Sequence, residues 1–202
     1  MRLFPALLIA AVAVLASIDA YSTPVAATLP SNSLYQLSAH MLDQSGHALV
    51  WRDQRGRPRV VSMFYTSCRV TCPLIVDSGK AIEHALVPAE RARIGITLIS
   101  LDPKRDTPRA LATLAAKRGL DAARWSLLRP DESDVRAVAG VLGVRYRRLA
   151  DGDFSHTSAL LLLDADGRVL ARTDKVGSRL DPEFVNAVHL ALAGPRALDR
   201  HE

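Results

Sequence analysis

Two hydrophobic patterns alternate along the chain and predict an α/β fold. Short apolar runs rich in β-branched residues are typical of buried strands, whereas apolar residues that recur every three or four positions are typical of helices. The runs that predict central strands are 59–65, 94–101, 125–128 and 158–163. The predicted helices are 73–86, 107–118, 131–142 and 182–192. This order favours a mixed sheet of about four central strands with helices on both faces.

Turn residues add two hairpins to this scheme. The turn 43–46, with Gly46 expected at positive φ, predicts a hairpin between 34–42 and 48–50, ahead of the first central strand. The turn 164–167 predicts a second hairpin, and 144–149 predicts an edge strand. The leading candidate for this order of elements is a thioredoxin-like fold with an extra N-terminal β-hairpin.

The first residues predict export from the cytoplasm. Arg2 is followed by an uncharged apolar stretch, 3–18, as in a signal peptide. Because the stretch is only slightly shorter than the ~20 residues that span a bilayer, an uncleaved membrane anchor is also open. With either a signal peptide or a membrane anchor, the globular part is expected to be periplasmic or otherwise extracytoplasmic. The predicted divisions are a signal peptide or anchor (1–27), a linker (28–33), one domain (34–195) and a polar tail (196–202).

Composition agrees with a globular domain and weighs against nucleic-acid binding. Of the 202 residues, 23% are charged and 49% are hydrophobic, and the formal net charge is +5. Arginines cluster at 52–59 and at 145–148. A nucleic-acid interface would need this charge on one face together with stacking aromatics or a known module, and we find neither. The arginines are instead expected on the surface, where they fit an acidic partner.

Both cysteines of the chain, Cys68 and Cys72, lie between a predicted strand and a predicted helix. A structural disulfide closing about five residues would add only ~2 kcal/mol, so stability alone is a poor explanation. If Pro73 is the first helical residue, Cys72 lies at the helix cap and Cys68 in the preceding loop. Free N–H groups at a helix start favour thiolates, and Arg69 adds positive charge. The pair can therefore cycle between dithiol and disulfide or hold a soft metal.

The chemistry of the donors directs the search to the histidines. Structural zinc sites usually need four Cys or His ligands, whereas two thiolates and one imidazole suit copper. Of the six histidines, His156 is distinguished by its position just before a buried strand. From position alone, a ligand role and a hydrogen-bonding role in a loop are both open. His84 and His189 are expected on helices, in surface or packing roles.

Three motifs occur in a fixed order over roughly 34–188. They are FYTSCRVTCP at 64–73, LDPKRDTP at 101–108 and FSHTS at 154–158. Together they resemble the CxxxCP loop, the DPxRDTP segment and the histidine segment of the SCO/SenC family of copper-binding, thioredoxin-like assembly factors.

The resemblance implies a set of site residues. Cys68, Cys72 and His156 would bind copper, as Cu+ or Cu2+, and the two cysteines would also form a redox-active pair. Asp102 would either support the thiol loop from outside the ligand set or be a turn residue. Asp106 and Thr107 are explained by helix capping. The loop 69–71 departs from the Pro and acidic residue that are frequent in the family, which bears on redox potential and partner but leaves the ligand set intact.

The function implied is that of a copper chaperone for the copper centre of a respiratory cytochrome c oxidase. Its partners would be the copper-site subunit of that oxidase or another exported cuproprotein, and a protein that supplies reducing thiols. An alternative is a thiol–disulfide oxidoreductase that keeps the cysteines of an exported copper protein reduced, so an enzymatic role stays open. A weaker alternative is peroxide reduction by a lone thiolate.

Overall fold

The computed structural model of the protein describes residues 28–194, so the predicted signal peptide or anchor and the predicted tail lie outside the described residues. The strands of this part are β1 (His40–Leu42), β2 (Ala48–Val50), β3 (Arg59–Phe64), β4 (Gly95–Ser100), β5 (Trp125–Pro130), β6 (Tyr146–Arg148), β7 (Phe154–His156), β8 (Leu160–Leu163) and β9 (Val169–Thr173). The α-helices are α1 (Thr71–Ala85), α2 (Pro88–Arg91), α3 (Pro108–Arg118), α4 (Val135–Val141) and α5 (Pro182–Ala193). Within 28–194, no helix has both the length and the apolar character that crossing a bilayer requires.

A seven-stranded mixed sheet forms the centre of the domain, in the order β2-β1-β5-β4-β3-β8-β9. Strands β3, β4 and β5 are parallel, while β1 and β8 are antiparallel to their neighbours β5 and β3. Every residue of β3 and β4 is buried, as expected for parallel strands covered on both faces. The predicted fold class is confirmed, and the extra N-terminal hairpin, β1-β2, forms one edge of the sheet.

The parallel pairing of β3 and β4 determines where the site is built. Phe64, the last residue of β3, is in register with Ser100, the last residue of β4. The cysteine loop that follows β3 and the segment 101–107 that follows β4 therefore leave the sheet at the same edge. This is the edge at which ligand sites of open α/β sheets are usually found.

The prediction of an edge strand at 144–149 needs a correction. Its core, β6, does not join the main sheet but pairs with β7 in a separate two-stranded sheet. In that sheet Tyr146 lies opposite His156. The turn between the strands includes Gly152 at a φ of +85°. The short polar sequence of β7 carries no apolar alternation that would have predicted this pairing.

Helix α1 also begins elsewhere than predicted. It starts at Thr71 rather than Pro73, so Cys72 lies in the first turn and is not the cap. Pro73 is tolerated there because the N–H groups of the first turn have no partner within the helix. Within this helix Leu74 is 41% exposed, whereas Ile75 and Val76 are buried.

A smaller correction concerns α4. Asp134 rather than Asp131 lies at its N-cap. The Asp134 carboxylate accepts a hydrogen bond from the backbone N–H of His40 at 2.9 Å, which ties the helix to the N-terminal hairpin. Thr107 is confirmed as the N-cap of α3, because its hydroxyl accepts from the N–H of Ala110, and Gly119 ends that helix in the left-handed region.

The turn between β8 and β9 yields a stability prediction with a built-in control. Gly167 and Gly46 both have a φ of +85°, but a Cβ on Gly167 would overlap Cδ2 of Tyr35, whereas a Cβ on Gly46 would meet nothing within 4 Å. We expect Gly46→Ala to lower the free energy of unfolding by ~1–2 kcal/mol through backbone strain alone. Gly167→Ala should lose a further ~1–3 kcal/mol through overpacking. Urea unfolding measures both, and equal losses would show that the Tyr35 contact is unimportant.

Candidate metal centre

Three side chains from distant parts of the chain meet beside the cysteine loop. One ligand atom each of Cys68, Cys72 and His156 lies within 4.8 Å of the others, and no other such group of three Cys, His, Asp or Glu occurs in residues 28–194. The Sγ of Cys72 is 3.9 Å from the Nε2 of His156, although the two residues are 84 positions apart. The fold thus brings together all three residues that the family resemblance implied as ligands.

Cys72 is the protected member of the pair. Its side chain is only 4% exposed, and its Sγ accepts a hydrogen bond from the backbone N–H of Tyr65 at 3.4 Å. Burial raises the pKa of the Cys72 thiol far above its ordinary value. The expectation that the helix start favours a thiolate therefore fails for Cys72.

Cys68 is the more accessible and more acidic thiol. It is half-buried, and its Sγ accepts from the backbone N–H of Cys72 at 3.3 Å. Burial alone would raise the pKa of Cys68, but hydrogen bonds from Cys72 and from the N–H groups of Val70 and Thr71 outweigh it and lower that pKa. The helix start therefore stabilises a thiolate at Cys68, which makes this residue the nucleophile of the pair.

His156 presents a free ring nitrogen to the cysteines. Its Nδ1 lies 3.1 Å from the carbonyl oxygen of Thr157, which can only accept, so Nδ1 must carry the proton. Nε2 then carries the lone pair and faces Cys72, an orientation typical of metal-binding histidines. Burial lowers the pKa of His156, which favours the neutral ring that a metal requires.

Tyr65 joins the histidine strand to the cysteine loop, a role that sequence reasoning missed. Its hydroxyl donates to the carbonyl of Phe154 at 3.2 Å and accepts from the N–H of Phe154 at 3.4 Å. Its ring contacts the ring of His156 edge-on at 5.8 Å. A tyrosine directly after a buried strand must find a partner for its hydroxyl, which was the available signal.

Asp106 holds the start of the cysteine loop through hydrogen bonds, and helix capping does not explain its position. It is fully buried, and its carboxylate accepts from the N–H of Thr66 at 3.1 Å, from the hydroxyl of Thr66 at 2.5 Å and from the hydroxyl of Ser100 at 2.6 Å. Burial raises the pKa of Asp106. These bonds attach the start of the cysteine loop to the end of β4.

Asp102, the other acidic residue of this segment, points elsewhere. Its buried carboxylate pairs with Arg105, and Arg105 also donates to the carbonyl of Gly152 at 2.7 Å. The Asp102 carboxylate is thus linked through Arg105 to the loop between β6 and β7.

Comparison with known proteins agrees with this architecture. The SCO1 protein homolog of Bacillus subtilis is 24% identical over 131 residues, which are 63% of this chain and 67% of that protein. The structure of Bradyrhizobium japonicum ScoI with copper bound superposes with a TM-score of 0.63 at 24% identity, covering 75% of this chain and 94% of that one. BsSco, described as a cytochrome c oxidase assembly protein of the Sco family with a disulfide switch, superposes with a TM-score of 0.64 at 21% identity, covering 78% and 93%.

At this level of identity the structural likeness shows the fold, and it confirms the thioredoxin-like arrangement of the sheet and helices. The family is shown by the sequence itself, because the profile described as SCO1/SenC matches residues 31–187. This match takes in both cysteines, the 101–108 segment and His156. The chain belongs to the SCO1/SenC family.

Proposed function

We propose that this protein binds copper through Cys68, Cys72 and His156 and delivers it to the copper centre of a respiratory cytochrome c oxidase. The observation that carries the proposal is the Cys-Cys-His group itself. The copper-bound structure of a family relative supports it. Copper binding and delivery are proposed to take place in the periplasm, with residues 1–27 acting as an export signal or a membrane anchor. The target is the copper-site subunit of the oxidase or another exported cuproprotein.

The donor set fits copper as a cargo. Two thiolates suit Cu+, and an imidazole adds a ligand that suits Cu2+. A structural zinc site would usually need a fourth Cys or His, and the group in residues 28–194 has three members. Binding requires both thiols to lose their protons, and the positive charge of the metal would stabilise the Cys72 thiolate that burial disfavours.

The unequal burial of the ligands suggests the order of release. Cys72 lies beneath the surface, whereas Cys68 and His156 are partly exposed. A target's ligands can therefore approach the metal from the side of Cys68 and His156, and Cys72 would be displaced last. Stepwise ligand exchange of this kind keeps the copper bound throughout the transfer.

Copper transfer between purified proteins tests the proposal. The copper-loaded protein would be mixed with the metal-free soluble copper domain of an oxidase subunit, and the spectrum of the filled target would be followed. We expect transfer that is faster than from a small copper complex buffered at the same free copper concentration. Cys68→Ser should abolish the advantage, since the exposed ligand is lost. Equal rates from the protein and from the buffered complex would contradict delivery.

A second candidate function is reduction of a partner's disulfide, favoured by the unequal thiols. The Cys68 thiolate would attack the target disulfide, forming a mixed disulfide and releasing one target thiolate. Cys72 would then lose its proton and attack the Sγ of Cys68, releasing the second target thiolate and leaving a Cys68–Cys72 disulfide. A separate dithiol reductant protein would restore the pair.

The reductase function makes a different prediction for the histidine. Exchange needs only the two thiols. The His156→Ala variant should therefore reduce a target disulfide at a rate within about threefold of the wild-type rate, whereas Cys68→Ser should be inactive. Stopped-flow kinetics under anaerobic conditions measure these rates. A reduction potential more oxidising than that of the target would exclude the role, since 30 mV corresponds to about tenfold in the equilibrium constant of this two-electron couple.

A further inference from the structure

His156 lies on a hairpin that is separate from the main sheet. In the described part of the chain, β6 and β7 pair only with each other, so pairing in the main sheet does not fix the distance from His156 to the thiols. Tyr146 lies directly opposite His156 in this hairpin. The side chain of Phe154 projects to the same side as that of His156, because the two residues are two positions apart along β7. That side faces the cysteine loop, since the ring of Phe154 contacts the ring of Tyr65 at 5.3 Å.

The backbone of Phe154 needs a partner outside the hairpin. The N–H of Leu149 donates to the carbonyl oxygen of Asp153. Bonded and non-bonded pairs alternate along antiparallel strands, so the next pair, Arg148 and Phe154, has its backbone groups directed away from each other. The N–H and C=O of Phe154 therefore point towards the outer edge of β7, where the Tyr65 hydroxyl binds both groups at 3.4 Å and 3.2 Å.

Tyr65 connects this edge of the hairpin to both cysteines. Its backbone N–H donates to the Sγ of Cys72 at 3.4 Å, and its carbonyl oxygen accepts from the N–H of Cys68 at 3.3 Å. The backbone of Tyr65 thus belongs to the half of the site that holds the thiols. Its hydroxyl holds the other half, at a residue two positions from His156.

The two halves matter differently to the two oxidation states of copper. Two thiolates satisfy Cu+, whereas Cu2+ gains from the imidazole. A change in the position of His156 should therefore weaken Cu2+ binding and leave Cu+ binding nearly intact. A group that positions His156 without touching the metal controls how strongly the site favours one oxidation state over the other.

We infer that the Tyr65 hydroxyl is a positioning group that raises the affinity of the site for Cu2+ relative to Cu+, by holding the hairpin that carries His156. The inference rests on the proposed copper binding and specifies what sets the preference between the two ions. The alternative is that the hydroxyl only satisfies its own need for partners, at a residue that is 3% exposed. Such a structural role would lower stability without changing the ratio of the Cu2+ and Cu+ affinities.

Tyr65→Phe isolates the hydroxyl, because the ring and the backbone bonds to the two cysteines stay in place. We expect the dissociation constant for Cu2+ to rise by at least about tenfold, as for other groups that orient a metal ligand. The constant for Cu+ should change by less than about threefold, because both thiolates remain. Anaerobic competition with chelators of known affinity measures the two constants separately.

Tyr146→Phe is the matched control, since it removes one hydroxyl from the same hairpin. The ring of Tyr146 contacts the ring of Phe154 at 6.2 Å, but its hydroxyl takes no part in the bonds between Tyr65 and the Phe154 backbone. Both dissociation constants of this variant should stay within about threefold of the wild-type values. Urea unfolding of the metal-free variants verifies that the proteins compared are folded.

Two further measurements show whether the hydroxyl acts through the hairpin. Adding Tyr65→Phe to His156→Ala should weaken Cu2+ binding by less than about twofold, because the ligand that the hydroxyl positions is already absent. Amide hydrogen exchange of the metal-free, reduced protein gives a readout without copper. Exchange at the N–H of Phe154 should be at least about tenfold faster in Tyr65→Phe and unchanged in Tyr146→Phe.

Several outcomes would overturn the inference. These are an unchanged Cu2+ constant in Tyr65→Phe, equal losses for Cu2+ and Cu+, the same loss in Tyr146→Phe, or an undiminished loss in the His156→Ala background. Tight copper binding by the wild type together with any of these results would refute the inference alone. If the wild type bound neither ion more tightly than Cys68→Ser does, the proposed function itself would fail, so the two failures are distinguishable.

Discussion

Replacing His156 with alanine is expected to weaken Cu2+ binding by more than about 100-fold. Loss of residues that merely orient a metal ligand costs ~10–100-fold in affinity, so loss of the ligand itself should cost at least as much. Cu+ should be affected less, by about tenfold or less, because the two thiolates remain and sulfur is the preferred donor for that ion. Competition with chelators of known affinity, carried out separately for the two oxidation states, measures both effects.

His84→Ala is the matched control for this experiment. His84 lies exposed on α1, well separated in sequence from the cysteines, and its removal should change neither affinity. If His156→Ala and His84→Ala bound Cu2+ equally well, the imidazole would not be a ligand. The metal would then have to be held by the two cysteines without His156.

The second large effect is expected at Asp106. Asp106→Ala removes the acceptor of the N–H and hydroxyl of Thr66 and of the hydroxyl of Ser100. Leaving such donors without a partner in the interior should lower the free energy of unfolding by ~3–5 kcal/mol. Because Thr66 begins the cysteine loop, copper affinity should also fall by ~10–100-fold in the folded fraction. Urea unfolding and chelator competition measure the two quantities.

Asp102→Ala is compared with Asp106→Ala, because the two acidic residues lie in the same segment and are assigned different roles. Its partner Arg105 is 41% exposed at the side chain and can be solvated after the change, so we expect a smaller loss of stability, ~1–2 kcal/mol. Copper affinity should change by less than about threefold, because Asp102 acts through Arg105 rather than on the loop. A larger effect on copper at Asp102 than at Asp106 would reverse the roles assigned to the two carboxylates.

The elements of the central sheet could be predicted from the sequence because each is long and strongly patterned. The runs 59–65 and 94–101 are mostly apolar or β-branched, which is typical of buried strands. The CxxxCP loop could be placed at the edge of the sheet for the same reason, since it lies between such a strand and an amphipathic helix. Local sequence was therefore sufficient to place two of the three candidate ligands.

The remaining parts of the site depend on contacts between distant residues. His156 reaches Cys72 because β6 and β7 form a small hairpin and because Tyr65 holds Phe154, and neither contact leaves a periodic pattern in the sequence. Position made His156 a candidate among the six histidines, but only the family resemblance favoured a ligand role over a hydrogen-bonding role. Asp106 was assigned to capping for a similar reason, since its place beside Thr107 suggests a helix start, whereas its partners lie on other elements.

The beginning of α1 was predicted two residues too late, and this affects the interpretation of the two thiols. Proline is common at the first helical position, but it is also tolerated elsewhere in the first turn. The helix starts at Thr71, Cys72 is buried in its first turn and Leu74 is exposed. The two thiols differ in both exposure and acidity.

X-ray absorption spectroscopy of the reduced protein, loaded with one Cu+ per chain, tests the central claim most directly. We expect two sulfur ligands and one imidazole nitrogen per copper, with the imidazole signal lost in His156→Ala and the sulfur signal reduced in Cys68→Ser. Copper surrounded only by oxygen or nitrogen donors, or an imidazole signal that persists in His156→Ala, would contradict a copper centre built from Cys68, Cys72 and His156.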